Sequence, residues 1–388
     1  MIPSPKVTHL AMRLLTGTAL VFFASLALAS AAKVGPEYAK LHTIRVQPAP
    51  LKDALVTQFV AADRKGRTFV LRGDTMQVFR LRDDGNADLS ATLKCANDSA
   101  FAYLAAMDPE GTRWLVSNSL MGPLFLCDSA EQQRPSGFIG MVSSVTYSRT
   151  GPLVAVIPGG SQGPDPDNFA GTARVPRILA LEDGRWKPVS TVPIPRVTNS
   201  SVAPIVQIKA QNDAFLCTGA KDSMWLASLN TYHLQQISSN TDKPTRDIAV
   251  GKNDVEWVKL TQREKTNIVT NLKDQGVSHP EAGIAQTYPR NVIRALVCEP
   301  HGTIYLLANT PDGLALDRFD PSQDLLERVL LEGVAASEGP MTVAFGTDEL
   351  WIAGRTAAEG LWRISLNSLA TAPWKRVQEM TIDGKAAP

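Results

Sequence analysis

One hairpin-like segment occurs twice in this chain and constrains its fold more than any other feature. Residues 102–118 read AYLAAMDPEGTRWLVSN, and residues 293–309 read IRALVCEPHGTIYLLAN. In both segments an apolar run meets an acid-Pro-x-Gly-Thr turn and a second alternating apolar run follows, which is the pattern of a tight antiparallel hairpin. We expect Asp108 and its counterpart Glu299 to accept hydrogen bonds from their own turns, where a glycine supplies the permissive backbone. The pattern predicts an all-β protein built from repeated hairpins.

A longer repeat surrounds the hairpins. Apolar runs closed by a polar turn recur at intervals of 43 to 56 residues, and they end at Gly85, Asp128, Gly184, Asn230, Gly276, Pro321 and Asn367. With the hairpins and outer strands such as ADLSATLK, each interval supplies four strands, which is typical of a four-stranded antiparallel propeller blade. A blade buries both its faces only against its neighbours. We therefore predict a single β-propeller domain over residues 32–388, with seven blades.

Two intervals depart from this regularity. An insertion near residues 158–175, rich in Gly, Pro and Asp, predicts a long surface loop. In the fifth interval, Thr261 and Glu264 fit a helix capping box, so a helix competes with the third strand there. If the helix forms, the ring has six blades and an inserted segment instead of seven blades. Residues 43–47, TIRVQ, precede the first blade and can close the ring by pairing with the last one.

The N-terminal 31 residues have the features of a secretory signal peptide. Lys6 and Arg13 form a positive region, Leu14 to Leu28 is apolar, and Ala29-Ser30-Ala31 fits the cleavage rule. Cleavage leaves 37 basic and 38 acidic residues, a formal net charge of −1. With this near-neutral balance we expect no overall positive electrostatic potential that would attract nucleic acid. We predict a periplasmic or secreted protein with no membrane insertion after cleavage.

All four cysteines belong to the mature chain and would meet an oxidising compartment. Cys95 and Cys127 are the pair closest in sequence and are candidates for a disulfide. Cys217 and Cys298 each lie inside an apolar run, and we expect them to be small buried hydrophobic residues.

Strand alternation places every second-to-third strand connection on one face of the ring. Loops on a rigid scaffold commonly carry binding residues, so we predict a binding surface on this face. The candidates are Arg72, Asp74, Asn118, Asp165, Asp167, Asn168, Arg174, Lys221, Asp222, Asn309 and Arg355. The alternative is that these residues are solvated turns without a partner.

Signatures of catalysis and of metal binding are weak. The mature chain contains no His-x-His, no HExxH, no paired CxxC and no phosphate-binding Gly loop followed by Lys and Ser or Thr. The stretch GGSQG at residues 159–163 lies in the insertion, after a predicted strand but without a following helix, and we interpret it as a flexible turn. Asp165, Asp167 and Asn168 resemble the start of a calcium loop, but the Gly and the closing Glu of that motif are absent. We predict no cofactor, with Ca²⁺ or Zn²⁺ as the alternative.

The acid-Pro-x-Gly-Thr-x-aromatic hairpin, at residues 108–114 and 299–305, resembles the repeat unit of the extracytoplasmic NHL and YVTN-type β-propellers. It is more distantly similar to gluconolactonase-like propellers, whose members hold a divalent metal in the central channel. We predict a propeller that binds a protein, peptide, glycan or small-molecule ligand on the loop face without catalysis of its own. The resemblance also implies an alternative, a metal-dependent lactonase-like hydrolase or lyase acting in the channel. A structural module of a cell-envelope assembly is the third possibility.

Overall fold

A computed structural model gives the fold of the chain. It describes residues 43–45, 47–48, 58–84, 86–95, 102–118, 123–135, 141–157, 177–191, 214–228, 232–239, 243–251, 257–259, 262, 265–266, 269–270, 273, 281, 287–289, 292–299, 301–334, 341–354 and 360–386. All of these belong to the compact unit that spans His42–Pro388. Among them, no helix is both long enough and apolar enough to span a bilayer.

The described elements are almost all strands. In the first half of the chain they are β1 Thr43–Arg45, β2 Gln47–Pro48, β3 Gln58–Ala62, β4 Thr68–Arg72, β5 Gln77–Leu81, β6 Ala87–Thr92, β7 Leu104–Met107, β8 Trp114–Ser117, β9 Leu124–Cys127, β10 Gln132–Gln133, β11 Met141–Tyr147, β12 Pro152–Ile157, β13 Arg177–Glu182 and β14 Arg185–Thr191.

The second half continues with β15 Ala214–Thr218, β16 Met224–Ser228, β17 His233–Ile237, β18 Arg246–Val250, β19 Trp257–Lys259, β20 Thr287–Pro289, β21 Ile293–Cys298, β22 Ile304–Thr310, β23 Gly313–Asp320, β24 Leu325–Glu332, β25 Met341–Phe345, β26 Glu349–Gly354, β27 Leu361–Ser365, β28 Lys375–Arg376, β29 Met380–Ile382 and β30 Lys385–Ala386. A helix, α1, spans Leu366–Ala370, and a 3₁₀ turn spans Ala220–Asp222.

Within the described residues these strands form six four-stranded antiparallel blades. Blades 1 to 5 are β3–β6, β7–β10, β11–β14, β15–β18 and β21–β24, and blade 6 is β25–β27 with β2 as its outer strand. The first strands of the six blades contact one another in a closed cycle, β3 with β7, then β11, β15, β21, β25 and β3 again. The predicted β-propeller is therefore confirmed.

The blade count is six, which is the alternative that the fifth interval left open. The described residues of that interval are helical at Gln262, Lys265, Thr266, Val269, Thr270 and Lys273. The two strands of the same segment, β19 and β20, pair with each other and extend no blade. In addition, the apolar run that ends at Asn230 was expected to contain the third strand of its blade, but it contains β16, which is the second strand of blade 4. Trp225 belongs to this second strand.

Strands from the two ends of the chain close the ring and cover the outer edges of two blades. β2 pairs with β27 of blade 6, as predicted for Gln47 of the TIRVQ segment, whereas β1 pairs in parallel with β24 of blade 5. At the C-terminus, β28 also pairs with β24, and β29 pairs with β18 of blade 4. Added strands remove exposed sheet edges on blades 4 and 5.

The core is divided among the junctions between neighbouring blades. The described buried apolar side chains form six clusters, one at each junction. Five of the six contain a buried tryptophan: Trp114, Trp186, Trp225, Trp351 and Trp362. Burying a large apolar side chain contributes about 1.5 to 3 kcal/mol. The blades consequently depend on their neighbours for stability.

Disulfides add covalent links across two of these junctions. Cys95 and Cys127 are bonded, with Cα atoms 5.3 Å apart, and join blade 1 to blade 2. Cys217 and Cys298 are also bonded, with Cα atoms 5.6 Å apart, and join the first strands of blades 4 and 5. The prediction that Cys217 and Cys298 are simple buried hydrophobic residues is wrong, because the ring brings two first strands together that lie 81 residues apart.

The junction of blades 4 and 5 also contains a buried polar network. Arg328 donates to both carboxylate oxygens of Asp317, from Nε at 2.7 Å and from Nη2 at 2.8 Å. The Tyr232 hydroxyl of blade 4 donates to the same carboxylate. All three side chains are buried. The ion pair lies within blade 5, and the Tyr232 hydroxyl bonds it to blade 4, so the buried charges are satisfied across the junction.

The repeated turn has the predicted chemistry at its first copy. Asp108 Oδ1 accepts the backbone N–H groups of Thr112 and Arg113, at 2.7 and 3.0 Å. Gly111 has φ +75°, a conformation that favours glycine. At the second copy the Gly302 N–H donates to the Glu299 carbonyl oxygen at 3.0 Å, the same backbone bond that joins Gly111 to Asp108.

Candidate functional site

The ring has two faces with different connections. We call the face that carries the first-to-second strand turns the hairpin-turn face, and the opposite face, with the second-to-third connections, the connection face. Neighbouring turns touch on the hairpin-turn face: the Arg64 N–H donates to the Pro109 carbonyl oxygen at 2.8 Å, and the Thr347 N–H donates to the Gly66 carbonyl oxygen at 3.1 Å.

Three of the predicted site residues belong to the connection face. Arg72 and Asp74 lie on the second-to-third connection of blade 1 and form a partly buried ion pair with each other at 3.2 Å. Asn118 follows β8 on the equivalent connection of blade 2. Asp165, Asp167, Asn168, Arg174 and Arg355 lie outside the described residues. The described members therefore belong to two neighbouring blades.

The other described candidates lie elsewhere than predicted. Asn309 is a buried residue of β22 and not a loop residue. Lys221 and Asp222 belong to the 3₁₀ turn between β15 and β16, the first two strands of blade 4, so they lie on the hairpin-turn face. Asp222 Oδ1 accepts the backbone N–H of Arg149, from the corresponding turn of blade 3, at 3.3 Å. Their predicted position on the connection face is wrong, because AFLCT is a first strand.

The first strands of the six blades surround an axial cavity of about 400 Å³. All six first strands contribute to its wall. The described lining side chains are mostly aliphatic, aromatic or hydroxyl-bearing, and they include Ala61, Ala106, Val145, Phe215, Val297, Val343, Phe345, Ser143, Thr146 and Thr218. Apolar walls with a few polar groups are typical of small-molecule sites, and this volume falls in their usual range.

The cavity reaches the hairpin-turn face. Its lining there includes Arg64, which is exposed, and Pro109 of the neighbouring turn. At the opposite end the described lining residues Gln58, Ala214 and Met341 are only 3%, 1% and 2% exposed, whereas Tyr103 and Leu104 are partly exposed. We call the opening among the hairpin turns the mouth of the cavity.

Hydroxyl side chains fix the wall by joining neighbouring first strands. Thr342 Oγ1 accepts the Val60 N–H at 2.9 Å, which joins blade 6 to blade 1. Ser144 Oγ accepts the Leu216 N–H at 3.0 Å, which joins blade 3 to blade 4. These bonds satisfy donors on the inner edge of each strand. The wall is pre-formed, and much of its polar capacity is used within the protein.

Among the described lining residues, Asp63 and Arg64 carry the charges. Asp63 Oδ1 accepts the backbone N–H groups of Lys65 and Arg67, each at 2.9 Å, and the Arg67 guanidinium pairs with Oδ2 at 2.5 Å. The Asp63 side chain is 1% exposed, so its hydrogen-bonding capacity is used inside its own turn. Arg64 pairs with Glu110 of blade 2 at 2.9 Å.

Tyr147 also lines the cavity and carries a buried hydroxyl. Burial is the main cause that raises the pKa of this phenol above its ordinary value, with the nearby Asp108 carboxylate as a second cause. The hydroxyl therefore stays protonated at neutral pH. No partner for it is found among the described residues.

The described part of the chain contains no group of three or more His, Cys, Asp or Glu side chains that could hold a metal ion. The one carboxylate of the described cavity wall, Asp63, is already bonded as above. The residues that sequence reasoning missed are thus the apolar and hydroxyl side chains of the first strands. Their only sequence signal is their position just before each hairpin turn.

Similarity to known proteins is confined to solved structures. No protein-family model and no curated protein matches the chain. Solved structures do: virginiamycin B lyase from Staphylococcus aureus is 9% identical, with 82% of this chain and 98% of that chain covered and a TM-score of 0.42. A gluconolactonase from Xanthomonas campestris is 12% identical, with 80% and 87% covered and a TM-score of 0.43. A PQQ-bound aldose sugar dehydrogenase from Streptomyces coelicolor is 10% identical, with 82% and 97% covered and a TM-score of 0.41.

At such identities the likeness concerns the fold alone. The β-propeller expected from the repeated hairpin is confirmed by the blades themselves, and the closer relation to NHL and YVTN-type propellers stays a prediction.

Proposed function

We propose that this chain is a secreted or periplasmic binding protein, without catalysis of its own, that holds a small molecule in the axial cavity. The observation that carries the proposal is the cavity itself, about 400 Å³, with a wall made by six first strands and a mouth on the hairpin-turn face. A pre-formed and mostly apolar cavity lowers the cost of binding, because its wall need not reorganise. The proposed ligand site is therefore the axial cavity and not the connection face that the sequence predicted.

Two features support the extracytoplasmic location. The sequence of residues 1–31 predicts a signal peptide, and this segment lies outside the described residues. The two disulfides account for all four cysteines. Stable disulfides are typical of oxidising compartments.

The proposal can be tested by titrating N-phenyl-1-naphthylamine, an uncharged probe that fluoresces in apolar sites. Ala106→Phe fills the cavity from blade 2, and Val297→Phe fills it from blade 5; both residues line the cavity and belong to none of the buried clusters. We expect each variant to bind the probe at least about tenfold more weakly, a loss of about 1.4 kcal/mol. Ala370→Phe, at an exposed position of α1, is the control and should bind like the natural protein.

Circular dichroism shows whether each variant is folded. If folded Ala106→Phe and Val297→Phe both bind the probe as tightly as the control, the cavity is not the binding site. The same conclusion follows if the natural protein does not bind the probe.

Metal content separates this proposal from the lactonase-like alternative. A channel hydrolase or lyase of that kind needs a divalent ion held mainly by oxygen ligands. We expect protein purified without chelator to contain far less than one equivalent of calcium or zinc by mass spectrometry. One equivalent that chelation removes, with a loss of activity on a lactone, would overturn the non-catalytic assignment.

A further inference from the structure

We propose that the ligand is an amphiphile with one negative charge, and that Arg64 binds its anionic head group at the mouth of the cavity. This inference rests on the proposed function, since it concerns the same site. Its starting point is the uneven distribution of charge. Of the described residues that line the cavity, only Asp63 and Arg64 are charged, and both lie at the mouth.

The Asp63 carboxylate does not set the charge of the ligand. Two backbone N–H groups and the Arg67 guanidinium bond to it, and its side chain is 1% exposed. Its negative charge is balanced by Arg67 within the same turn. The ion pair of Asp63 with Arg67 therefore presents no net charge to a ligand at this point of the rim.

Arg64, in contrast, can change its partner at little cost. Its side chain is 58% exposed, and Glu110, with which it pairs at 2.9 Å, is 61% exposed. Exposed ion pairs typically contribute about 0 to 1 kcal/mol. The backbone of Arg64 is nonetheless fixed, because its N–H donates to the Pro109 carbonyl oxygen at 2.8 Å. The backbone of Arg64 is thus held at the rim, while its guanidinium is free to exchange Glu110 for a ligand.

A guanidinium suits a carboxylate, sulfonate or phosphate head group, because its planar donors form two parallel hydrogen bonds. The apolar wall below accommodates the body of the ligand and offers no second cation among its described residues. A cationic head group would be repelled by Arg64, and a doubly charged one would leave a charge without a partner. One negative charge at the end of an apolar body fits the site best.

Two probes with a common apolar body test this inference. 8-Anilinonaphthalene-1-sulfonate is N-phenyl-1-naphthylamine with an added sulfonate. We expect Arg64→Gln to weaken binding of the sulfonate about tenfold and to leave the uncharged probe within about twofold. Glu110→Gln should strengthen binding of the sulfonate about two- to threefold, because Arg64 loses its competitor.

Lys65→Gln is the matched control. It removes the same charge from the next residue, whose exposed side chain does not line the cavity, and it should change binding of either probe by less than about twofold. The inference is overturned if Arg64→Gln binds the sulfonate like the natural protein, or if Lys65→Gln weakens it equally. If the uncharged probe does not bind in the cavity at all, the proposed function fails, and the two failures are distinguishable.

Discussion

At the hairpin-turn face the ring ends in short turns that bond to one another, whereas at the connection face longer segments such as residues 251–292 lead from one blade to the next. The mouth of the cavity lies on the face with the short turns. Its rim is fixed by contacts between neighbouring blades, of Arg64 with Pro109, Gly66 with Thr347 and Arg149 with Asp222.

The difference teaches that, under the proposed function, loop length is a poor guide to the site in this ring. The expanded connection near residues 158–175 marks the connection face, and the cavity opens at the other end. A fixed rim favours a ligand that fits the existing shape, because little conformational entropy is lost at the wall on binding. Three variants test this contrast between the faces.

The largest effect is expected from the disulfides. Replacing Cys217 and Cys298 with alanine should lower the free energy of unfolding by about 4 kcal/mol, because an 81-residue loop in the unfolded chain is released. It should also weaken binding of the uncharged probe about threefold or more, since both residues line the cavity and hold first strands together. Urea unfolding and probe titration measure the two effects.

The other disulfide is the control for this double variant. Replacing Cys95 and Cys127 with alanine should also destabilise the protein, by about 3 to 4 kcal/mol, but should change probe binding less than about twofold. If both double variants weaken probe binding equally, the effect reflects general loosening, and the special position of Cys217 and Cys298 in the cavity wall is refuted.

A second variant tests the rim between blades 6 and 1. Gly66 has φ +72°, and a Cβ atom there would lie 2.5 Å from Thr347 Oγ1 and 2.9 Å from Thr347 N. Gly66→Ala should therefore cost about 3 kcal/mol of stability, from the unfavourable backbone conformation and the steric clash together. Urea unfolding measures the loss.

Gly184→Ala measures the cost of the unfavourable backbone conformation without the steric clash. Gly184 has a similar φ of +74°, but no atom lies within 4 Å of a Cβ added there, so the loss should be about 1 kcal/mol. Equal losses of unfolding free energy for the two glycine variants would show that the close contact of Gly66 with Thr347 does not constrain the rim.

The smallest effect is expected on the connection face. Deleting residues 159–173, which lie outside the described residues, should leave probe affinity within about twofold, because surface loops tolerate changes in length. Probe titration of the folded variant measures it. A tenfold loss would return the site to the connection face, as first predicted from the sequence.

The fold could be predicted from sequence because the repeated turn and its spacing reflect local chemistry. The Asp108 turn has its expected hydrogen bonds, and the blades follow the repeat. The register of blade 4 could not be predicted, because the local sequence does not show whether AFLCT, residues 214–218, is a first or a second strand. The interpretation of AFLCT as a second strand put Lys221 and Asp222 on the wrong face.

The site itself left no comparable signal. Ala106, Val297 and Thr342 are of the same types as the residues that fill the junctions between blades. Whether such a residue faces a neighbouring blade or the axis depends on ring closure, which no local pattern reports. The pairing of Cys217 with Cys298 was hidden for the same reason, since only the closed ring brings β15 beside β21.

The most direct test of the account is the crystal structure of the protein with an iodinated naphthoate, located by the anomalous signal of iodine. We predict a single strong peak inside the ring, in contact with Ala106 and Val297, with the carboxylate directed to Arg64 at the hairpin-turn face. A peak on the connection face, or an empty cavity in crystals grown at saturating ligand, would contradict the claim that the axial cavity is the binding site.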